Sequence, residues 1–389
     1  MAEEKDFMAM ALDLARLGLG RTSPNPMVGA VIVKNGKIIG QGFHQKAGMA
    51  HAEVEALKSV GAGFPRPILK TIAGGETPPL RNATLYVTLE PCCHHGRTPP
   101  CVDAIIQAGI KHVVVGMKDP DEKVSGQGIR LLKKHGIKVT VGVMEKECRE
   151  LNAAYIKHRQ KKMPYVTLKM ASTLDGKIAL PSGDSKWITG EVAREMGHVL
   201  RDQHDAIMVG IGTIQKDDPQ LTCRLGGKKE AGRDPIRVVV DSQLSISPKA
   251  KILRQISASP TWLATTLSEK DVKVKNFEKK FSRVSFEILS CRSDKSKIDL
   301  KDLLKKLAER GVVSVLVEGG PTLVTALLKQ KLVDRVVHFI SPTYLGEGLS
   351  CINNLEIKKL TQRIGLKDVQ VRLLGQDSQD LMVEGVLSL

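Results

Sequence analysis

The 389-residue chain is poor in aromatic side chains, which make up only 3% of its sequence. A protein that binds nucleic acid by stacking bases on aromatic rings is therefore not expected. The chain has no apolar run that approaches the ~18–20 residues of a membrane span. Its first residues are acidic and then amphipathic, without the basic region and plain apolar core of a signal peptide. We accordingly expect a cytoplasmic protein with no membrane partner.

Cysteines are few, seven in all, and their odd number does not suit a framework of disulfides. Reduced thiols are expected in a cytoplasmic protein. Three of the cysteines, Cys92, Cys93 and Cys101, lie within one short stretch of the sequence. This clustering predicts metal binding or catalytic chemistry.

Positive charge is in excess, since 59 Lys and Arg residues against 42 Asp and Glu residues give a net charge of +17. Such a balance suits nucleic acid, a membrane surface or small anionic substrates. The basic residues are spread along the chain, and the two densest groups, 157–162 and 270–280, do not form long basic arms. We therefore expect a solvated basic surface and anionic small-molecule substrates, with no nucleic-acid partner.

The length and a hydrophobic content of 42% are enough for two or three domains. The Asn35-Gly36 pair predicts a hairpin between two strands, and helices alternate with strands after it. This order predicts an α/β sandwich with a mixed sheet over residues 1–147. A linker or bridging helix is predicted over 148–162, and a second α/β domain over 163–389. The stretch 61–79 is predicted to be a surface loop, and the pattern of 243–300 is difficult to assign.

The first chemical motif is His51-Ala52-Glu53, which is followed by Cys92 and Cys101. Zinc prefers imidazole and thiolate ligands, and a catalytic zinc keeps one position for water. His51, Cys92 and Cys101 would supply three ligands. Glu53 is interpreted as the general acid/base that moves a proton from the attacking water to the leaving ammonia. Zinc deaminases carry a related signature with two residues between the cysteines, whereas eight residues intervene here.

Two other interpretations of this motif stay open at this point. Spacing alone does not exclude Glu53 as a fourth ligand. A closed structural zinc site, with His94 or His95 as the fourth ligand, would leave Glu53 without a task. Cys93 is interpreted as a neighbour of the metal and not as a ligand.

The second motif is Glu318-Gly319-Gly320-Pro321-Thr322, which follows a predicted buried strand. Pro321 is well placed as the first residue of a helix, and the backbone N–H groups at that helix start would receive a phosphate. An ordinary strand-to-helix turn explains the same residues equally well. The Gly210-x-Gly212 fragment upstream is too short for a dinucleotide-binding fingerprint.

The segments HAE, TLEPCCHHGRTPPC and SPNPMVGAVIV resemble the deaminase half of the bifunctional deaminase/reductase (RibD) family of riboflavin biosynthesis. The resemblance implies a cytidine-deaminase-like three-layer sandwich in which His51, Cys92 and Cys101 bind zinc and Glu53 is the proton shuttle. It also implies that the pocket for the pyrimidine and its phosphate is lined by Asn25, His44, His94 and Arg97. Family members usually carry Asp-Pro-Asn-Pro where this chain has Asp119-Pro120-Asp121-Glu122. This departure puts in doubt a substrate contact from that turn.

The segments LKMASTLDGKIA, GDSKWITG, RDQHDAIMVGIGTIQKDDPQLTCR and LVEGGPTL resemble the reductase half of the same family, which has a dihydrofolate-reductase-like fold. The resemblance implies NADPH as hydride donor. It assigns cofactor contacts to Ala171, Trp187, Thr213, Asp217, Ser242, Gly320, Pro321, Thr322, Leu323, Val324, Thr325 and Ala326. It assigns substrate contacts to Ser185, Arg201, Leu221, Arg224 and Glu318. Lys169 and Asp217 are candidates for proton handling near the reducible carbon.

Together these features predict a two-step enzyme. The first domain would release ammonia from 2,5-diamino-6-(5-phosphoribosylamino)pyrimidin-4-one, and the second would reduce the ribose of the deaminated product to a ribityl chain. A nucleic-acid base deaminase is the main rival, but its cysteine spacing differs and it has no need of the second motif. A non-enzymatic binding protein would be expected to lack a zinc ligand or Glu53. One domain could be inactive despite intact motifs, and a homo-oligomer is compatible with the sequence.

Overall fold

The computed structural model describes residues 2–60, 80–94, 99–122, 124–226, 232–255, 257–281, 286–375 and 380–388. The chain forms two compact units, Met1–Lys162 and Met163–Leu389. Residues 148–162, for which the sequence predicts a linker or bridging helix, lie in the first unit. The predicted loop 61–79 falls outside the described residues. Among the described helices, none has the length and apolar character needed to cross a bilayer.

The first unit is built on a five-stranded mixed sheet of order β2-β1-β3-β4-β5. Strand β1 is antiparallel to both β2 and β3, and β3, β4 and β5 are parallel. The mixed sheet expected from the sequence is therefore confirmed. The elements are α1 (Ala2–Arg16), β1 (Gly29–Lys34), β2 (Lys37–Phe43), α2 (Ala52–Val60), β3 (Ala83–Leu89), α3 (Cys101–Gln107), β4 (His112–Met117), α4 (Gln127–Lys134), β5 (Lys138–Val141), α5 (Glu145–Leu151) and α6 (Ala153–Lys161).

Local sequence explains how this sheet is covered. Asn35 and Gly36 both have positive φ, at 51° and 72°, as a tight hairpin between β1 and β2 requires. Helices α1 and α2 approach the sheet closely at glycines. A Cβ at Gly29 would meet the Ala11 carbonyl oxygen at 1.9 Å, and one at Gly42 would meet the Ala56 nitrogen at 2.4 Å. Since Gly42 is paired with the residue after Gly29, the two glycines face opposite sides, and the helices form the outer layers of a sandwich.

The second unit is built on a nine-stranded sheet of order β11-β10-β9-β8-β14-β6-β15-β18-β17. In this spatial order, the first seven strands are parallel to one another, and β18 and β17 add an antiparallel hairpin at the end. The elements are β6 (Tyr165–Thr173), β7 (Lys177–Ala179), α7 (Glu191–Gln203), β8 (Ala206–Gly210), α8 (Ile211–Asp217), β9 (Ile236–Val240), α9 (Lys251–Arg254), β10 (Thr261–Thr265), α10 (Val272–Lys280), β11 (Glu287–Ser290), β12 (Ser293–Asp294), β13 (Lys297–Ile298), α11 (Leu300–Glu309), β14 (Ser314–Val317), α12 (Pro321–Lys329), β15 (Arg335–Ser341), β16 (Leu349–Ser350), a 3₁₀ turn (Leu360–Gln362), β17 (Gly365–Leu374) and β18 (Asp380–Ser388).

The central strands of this sheet are buried on both faces, so their sequences are nearly continuous apolar runs. In β14, for example, Val315, Leu316 and Val317 are fully buried. Helices α7 and α8 each lie next to β8 in the chain, and α12 follows β14 directly. The carboxyl ends of β9, β8, β14 and β6 therefore meet at one edge of the sheet, which is where ligands bind in open parallel sheets.

Candidate active sites

The first unit brings His51, Cys92 and Cys101 together. Their candidate ligand atoms all lie within 4.8 Å of one another, and these three residues form the metal-binding group found among the described residues. His51 Nδ1 lies 3.1 Å from the sulfur of Cys101 and 3.5 Å from that of Cys92. One imidazole and two thiols suit zinc and leave a fourth tetrahedral position for water. His94 is not a member of the group, and His95 lies outside the described residues.

The fold supplies each of these ligands from a different element. His51 immediately precedes α2, Cys92 lies just after β3, and Cys101 is the first residue of α3. The backbone N–H of Cys101 points to the Cys92 sulfur at 3.4 Å. Hydrogen bonds with Cys101 and His51 lower the pKa of the Cys92 thiol, although burial opposes them. The hydrogen bond with Cys92 raises the pKa of His51 in turn. A thiolate is thus stabilised at the position where a metal ligand is needed.

Glu53 lies two residues after His51, in the first turn of α2, and only 3% of it is exposed. Burial and the nearby charge of Cys92 raise the pKa of the Glu53 carboxyl to about 7. A carboxyl group with a pKa near neutrality can both accept and return a proton, which is what a general acid/base must do. Glu53 is also absent from the metal-binding group, so the geometry supports the interpretation of Glu53 as a proton carrier.

A cavity of about 330 Å³ opens beside these residues. Of the substrate contacts expected from the sequence, Asn25, His44 and His94 line it, whereas Arg97 lies outside the described residues. The Asn25 amide nitrogen is 3.1 Å from His44 Nε2, and His44 Nδ1 is 3.1 Å from the Ala50 carbonyl oxygen. Burial lowers the pKa of His44, which favours the neutral imidazole in the wall of the cavity.

Four residues that the sequence analysis did not single out as ligands also line this cavity: Glu90, Asp119, Tyr155 and Arg159. Glu90 is buried and accepts backbone N–H groups of Asp119, Gly126 and Ile129 at 2.8–3.3 Å. It therefore holds the turn that follows β4 and leads into α4. Burial raises the pKa of Asp119 to about 6. The position of Glu90 directly before Pro91-Cys92 was the one signal available in the sequence.

In the second unit, Glu318 lies at the end of β14, beside Lys169 of β6. Arg201 of α7 donates from Nε and Nη2 to the two oxygens of Glu318 at 2.8 and 2.9 Å. The Lys169 ammonium is 3.9 Å from Glu318 Oε2. Burial opposes ionisation of Glu318, but the charges of Arg201 and Lys169 outweigh it and lower the pKa of Glu318 to about 2. These three expected site residues thus form one largely buried charged cluster.

The other expected substrate contacts of the second unit are distributed around this cluster. Arg201 Nη1 also donates to the Thr222 carbonyl oxygen at 3.1 Å, so its guanidinium is largely committed to the protein. Arg224 is exposed, and its backbone N–H donates to His198 Nδ1 at 3.2 Å. Leu221 is buried, with a positive φ of 55°, and Ser185 is half-buried.

The expected cofactor contacts fall mainly at the carboxyl edge of four adjacent strands, β9, β8, β14 and β6. Ser242 follows β9, Thr213 lies in α8 after β8, residues 320–326 begin α12 after β14, and Ala171 lies near the end of β6. A Cβ at Gly320 would lie 3.9 Å from the Thr213 hydroxyl, so the two strand-to-helix turns are neighbours. Backbone N–H groups at the start of α12 suit an anionic group such as a phosphate.

Two further expected contacts are exposed. Trp187 is 70% exposed, and the Arg194 guanidinium lies 4.6 Å from the centre of its ring. Asp217 is exposed at the end of α8. An open edge lined by glycine turns, hydroxyls and one exposed indole is compatible with a dinucleotide.

Comparison with known proteins matches both units to family models. Residues 164–379 match the RibD C-terminal domain, and residues 1–117 match the cytidine and deoxycytidylate deaminase zinc-binding region. The chain is 42% identical over 374 residues to the riboflavin biosynthesis protein RibD of Aquifex aeolicus, covering 96% of each. It is 39% identical over 387 residues to the protein of that name from Escherichia coli K12, covering 96% of this chain and 98% of the relative.

Solved structures agree. The RibD structure from Acinetobacter baumannii (form 1) aligns with a TM-score of 0.83 at 35% identity, covering 100% of this chain and 99% of that one. A diaminohydroxyphosphoribosylaminopyrimidine deaminase/5-amino-6-(5-phosphoribosylamino)uracil reductase from Thermotoga maritima aligns with a TM-score of 0.81 at 38% identity, with the same coverage. Both alignments extend over both units, so the similarity in fold covers the whole chain.

Proposed function

Because the chain belongs to the RibD family and is a bifunctional deaminase and reductase of riboflavin biosynthesis, we propose specific substrates, a cofactor and residue roles for its two sites. The first unit deaminates 2,5-diamino-6-(5-phosphoribosylamino)pyrimidin-4-one. The second unit reduces the ribose of 5-amino-6-(5-phosphoribosylamino)uracil to the ribityl chain with NADPH. Support comes from the similar Thermotoga maritima protein, which is described by these two activities.

The observation that carries the deaminase proposal is a buried Glu53 two residues from His51, in a cavity that also contains Cys92. His51, Cys92 and Cys101 would hold zinc, which supplies Lewis acidity that makes water a better nucleophile at neutral pH. Glu53 takes the proton of the attacking water and returns it to the exocyclic nitrogen, so that water and the amine become a carbonyl and ammonia. Asn25 and His44 hold the pyrimidine edge.

In the reductase unit, the acceptor is the opened sugar, as an aldehyde or imine. NADPH, held along the carboxyl edge of the sheet by residues 320–326, Thr213 and Ser242, would supply the hydride. The proton that must reach the reduced centre comes from Lys169, with Asp217 as a second candidate. Burial lowers the pKa of Lys169, while the charge of Glu318 opposes this effect. A lysine in this balance can release a proton more readily than one in water.

The phosphate of the reductase substrate binds to Arg224, whose side chain is exposed and free to meet an anion. Arg201, which is paired with Glu318, supports the substrate site by fixing that carboxylate. The two arginines to which the family resemblance assigns substrate contacts thus have different roles in this proposal. We also propose that the enzyme works in the cytoplasm, since all seven cysteines are free thiols, as a reducing compartment favours.

Two separate assays test this proposal. Zinc-loaded protein should release ammonia from the diaminopyrimidine phosphate in the absence of NADPH. The same preparation should oxidise NADPH when it is given the deaminated product alone. Failure of the first assay with zinc bound would overturn the proposed deaminase substrate, and failure of the second would overturn the proposed reductase substrate or its cofactor.

A further inference from the structure

The turn Asp119-Pro120-Asp121 meets helix α6 in the wall of the deaminase cavity. Asp119, Asp121, Tyr155 and Arg159 all line the cavity that contains Glu53. This is the turn at which the chain carries an aspartate where the family usually has an asparagine. The structure places Arg159 beside Asp121, so the residue that differs from the family pattern has an ion-pair partner in the same cavity wall.

Helix α6 and the turn are joined by a defined set of contacts. The Tyr155 hydroxyl donates to Asp119 Oδ1 at 3.2 Å, and the Asp121 backbone N–H donates to the same oxygen at 2.8 Å. The Arg159 guanidinium lies 5.2 Å from the centre of the Tyr155 ring. Asp119 and Tyr155 thereby form a frame on which the side chains of Asp121 and Arg159 are held side by side.

Arg159 retains unused hydrogen-bond donors within this frame. Its Nη1 lies 3.7 Å from Asp121 Oδ2, which is an ion pair beyond hydrogen-bond distance. Its Nε is buried and has no hydrogen-bond partner in the part of the chain that the structure describes. A guanidinium offers five N–H donors, and buried donors are normally paired. Because Arg159 lines the cavity and its guanidinium is not saturated by the protein, it is a candidate donor to a ligand there.

The charges around Arg159 indicate which kind of ligand fits. A phosphate would face the carboxylate of Asp121 and the carboxyl of Asp119 as well as the guanidinium. A neutral hydroxyl can instead accept from Arg159 and donate to Asp121 at the same time. An asparagine amide offers one donor and one acceptor in a single side chain, and here the two functions are divided between Arg159 and Asp121.

We propose that Asp121 and Arg159 act together as a substrate-positioning pair that binds a sugar hydroxyl of the deaminase substrate. This inference rests on the proposed deaminase function. Neither residue takes part in proton transfer, which belongs to Glu53. The pair determines how firmly the phosphoribosyl part is held while the pyrimidine ring is attacked.

The first test compares R159M with the full-length parent in the ammonia-release assay. We expect KM to rise by about 10- to 100-fold, as for a lost hydrogen bond to a charged group, while kcat stays within about threefold. The matched control is R149M, which removes an arginine from the exposed ion pair with Glu145 on the neighbouring helix α5. That variant should keep the parental KM. The variant R159K keeps the charge but loses the planar fork, so its KM should lie between those of R149M and R159M.

The second test uses the asparagine that the family carries. D121A, which removes the acceptor of the pair, should raise KM in the same direction as R159M, whereas the amide of D121N offers both a donor and an acceptor. In the R159M background, D121N should restore most of the lost affinity. If the two substitutions were independent structural defects, their effects on KM would add instead. Substrates that lack the 2′- or the 3′-hydroxyl sharpen the readout. On one of these analogues, the kcat/KM of the parent should fall at least about tenfold below its value on the full substrate. R159M should have similar kcat/KM values on that analogue and on the full substrate.

The outcomes separate this inference from the function on which it rests. A parent that releases no ammonia would contradict the proposed function itself. If the parent is active and R159M keeps its KM, or if R159M and the parent discriminate equally against both deoxy analogues, the positioning pair is refuted. NADPH oxidation on the deaminated product, measured in parallel, should be unchanged in every variant and reports that the protein is intact.

Discussion

Arg201 and Glu318 form a two-point ion pair, with both carboxylate oxygens bound by the guanidinium at 2.8 and 2.9 Å. The pair joins α7 to the end of β14, although the two residues are 117 positions apart in the sequence. The Lys169 ammonium also lies 3.9 Å from one oxygen of Glu318. The geometry of the proposed reductase site therefore depends on one largely buried carboxylate that stays charged.

Removal of Arg201 should destabilise the second unit strongly. R201M leaves the largely buried Glu318 carboxylate with only Lys169 to balance it, and such a change costs ~3–5 kcal/mol of unfolding free energy. Both tryptophans of the chain, Trp187 and Trp262, belong to the second unit, so tryptophan fluorescence during urea unfolding reports on it. R310M, which breaks the exposed pair with Glu287, should cost less than ~1 kcal/mol. Equal costs for the two variants would contradict the assigned role of the pair.

Acid should destabilise the second unit from about pH 6.5 downward. Burial lowers the pKa of His204 from 6.5 to about 4, so between these values the unfolded chain binds a proton that the folded chain does not. Glu318 extends the effect, since its pKa falls from 4.5 to about 2 and the unfolded carboxylate is protonated first. For both groups, the stabilisation that is present above the pKa of the group in the unfolded chain is lost as the pH falls. Tryptophan-detected urea unfolding across this range measures it.

The contribution of His204 to this pH dependence can be isolated. The buried imidazole lies 2.6 Å from the Leu200 carbonyl oxygen and 2.9 Å from the Thr167 hydroxyl. H204Q cannot titrate, so the loss of stability that begins near pH 6.5 should be smaller in this variant than in the parent. Burial also lowers the pKa values of His198 and His338 to about 4, so these residues should keep part of the slope. A pH profile of the same slope in both proteins would show that His204 does not contribute.

Substitution E53Q should abolish ammonia release without removing the metal. The amide cannot carry a proton, and loss of a general acid/base lowers the rate by about 10²- to 10⁴-fold. Zinc content and NADPH oxidation on the deaminated product should remain at parental levels. Glu55 lies on the same helix in an exposed pair with Lys58, so E55Q is the matched control and should stay active. Loss of zinc from E53Q would mean that Glu53 is a ligand.

The metal itself should be needed by one activity only. C101A removes one of the two thiol ligands, and we expect it to lose zinc and ammonia release together while NADPH oxidation persists. C93A should keep both activities, because Cys93 lies outside the metal-binding group. Metal analysis of purified protein, before and after treatment with a chelator, provides the readout. An inactive reductase after chelation would contradict the assignment of zinc to the first unit.

Much of the fold and the grouping of the candidate metal ligands could be predicted from the sequence because their signals are local or chemically specific. The Asn35-Gly36 pair marks the hairpin directly, and the apolar run of β14 marks a buried strand. The motif of His51, Cys92 and Cys101 could be identified because few residue types bind zinc. The family resemblance and the two enzymatic activities that it implies were confirmed by the comparisons.

Other features depend on contacts that no local pattern encodes. The pairing of Arg201 with Glu318 needs the register of the sheet and the position of α7. Arg159 lies in a polar helix that was expected to link two domains, so its place in the deaminase cavity appears only in the folded chain. Strand β17 was not predicted, because seven of its ten residues are exposed and it lacks a buried apolar run. The contacts expected of Arg97 fall outside the described residues and stay a prediction.

The most direct test of the two-step account is a single reaction that contains zinc-loaded protein, NADPH and the undeaminated diaminopyrimidine phosphate. If the two steps follow the proposed order, NADPH is oxidised only after ammonia appears, and ammonia and oxidised NADP reach equal amounts. E53Q should then block both signals, while addition of the deaminated product should restore NADPH oxidation alone. NADPH oxidation by E53Q from the undeaminated substrate would contradict the proposed order of the two steps.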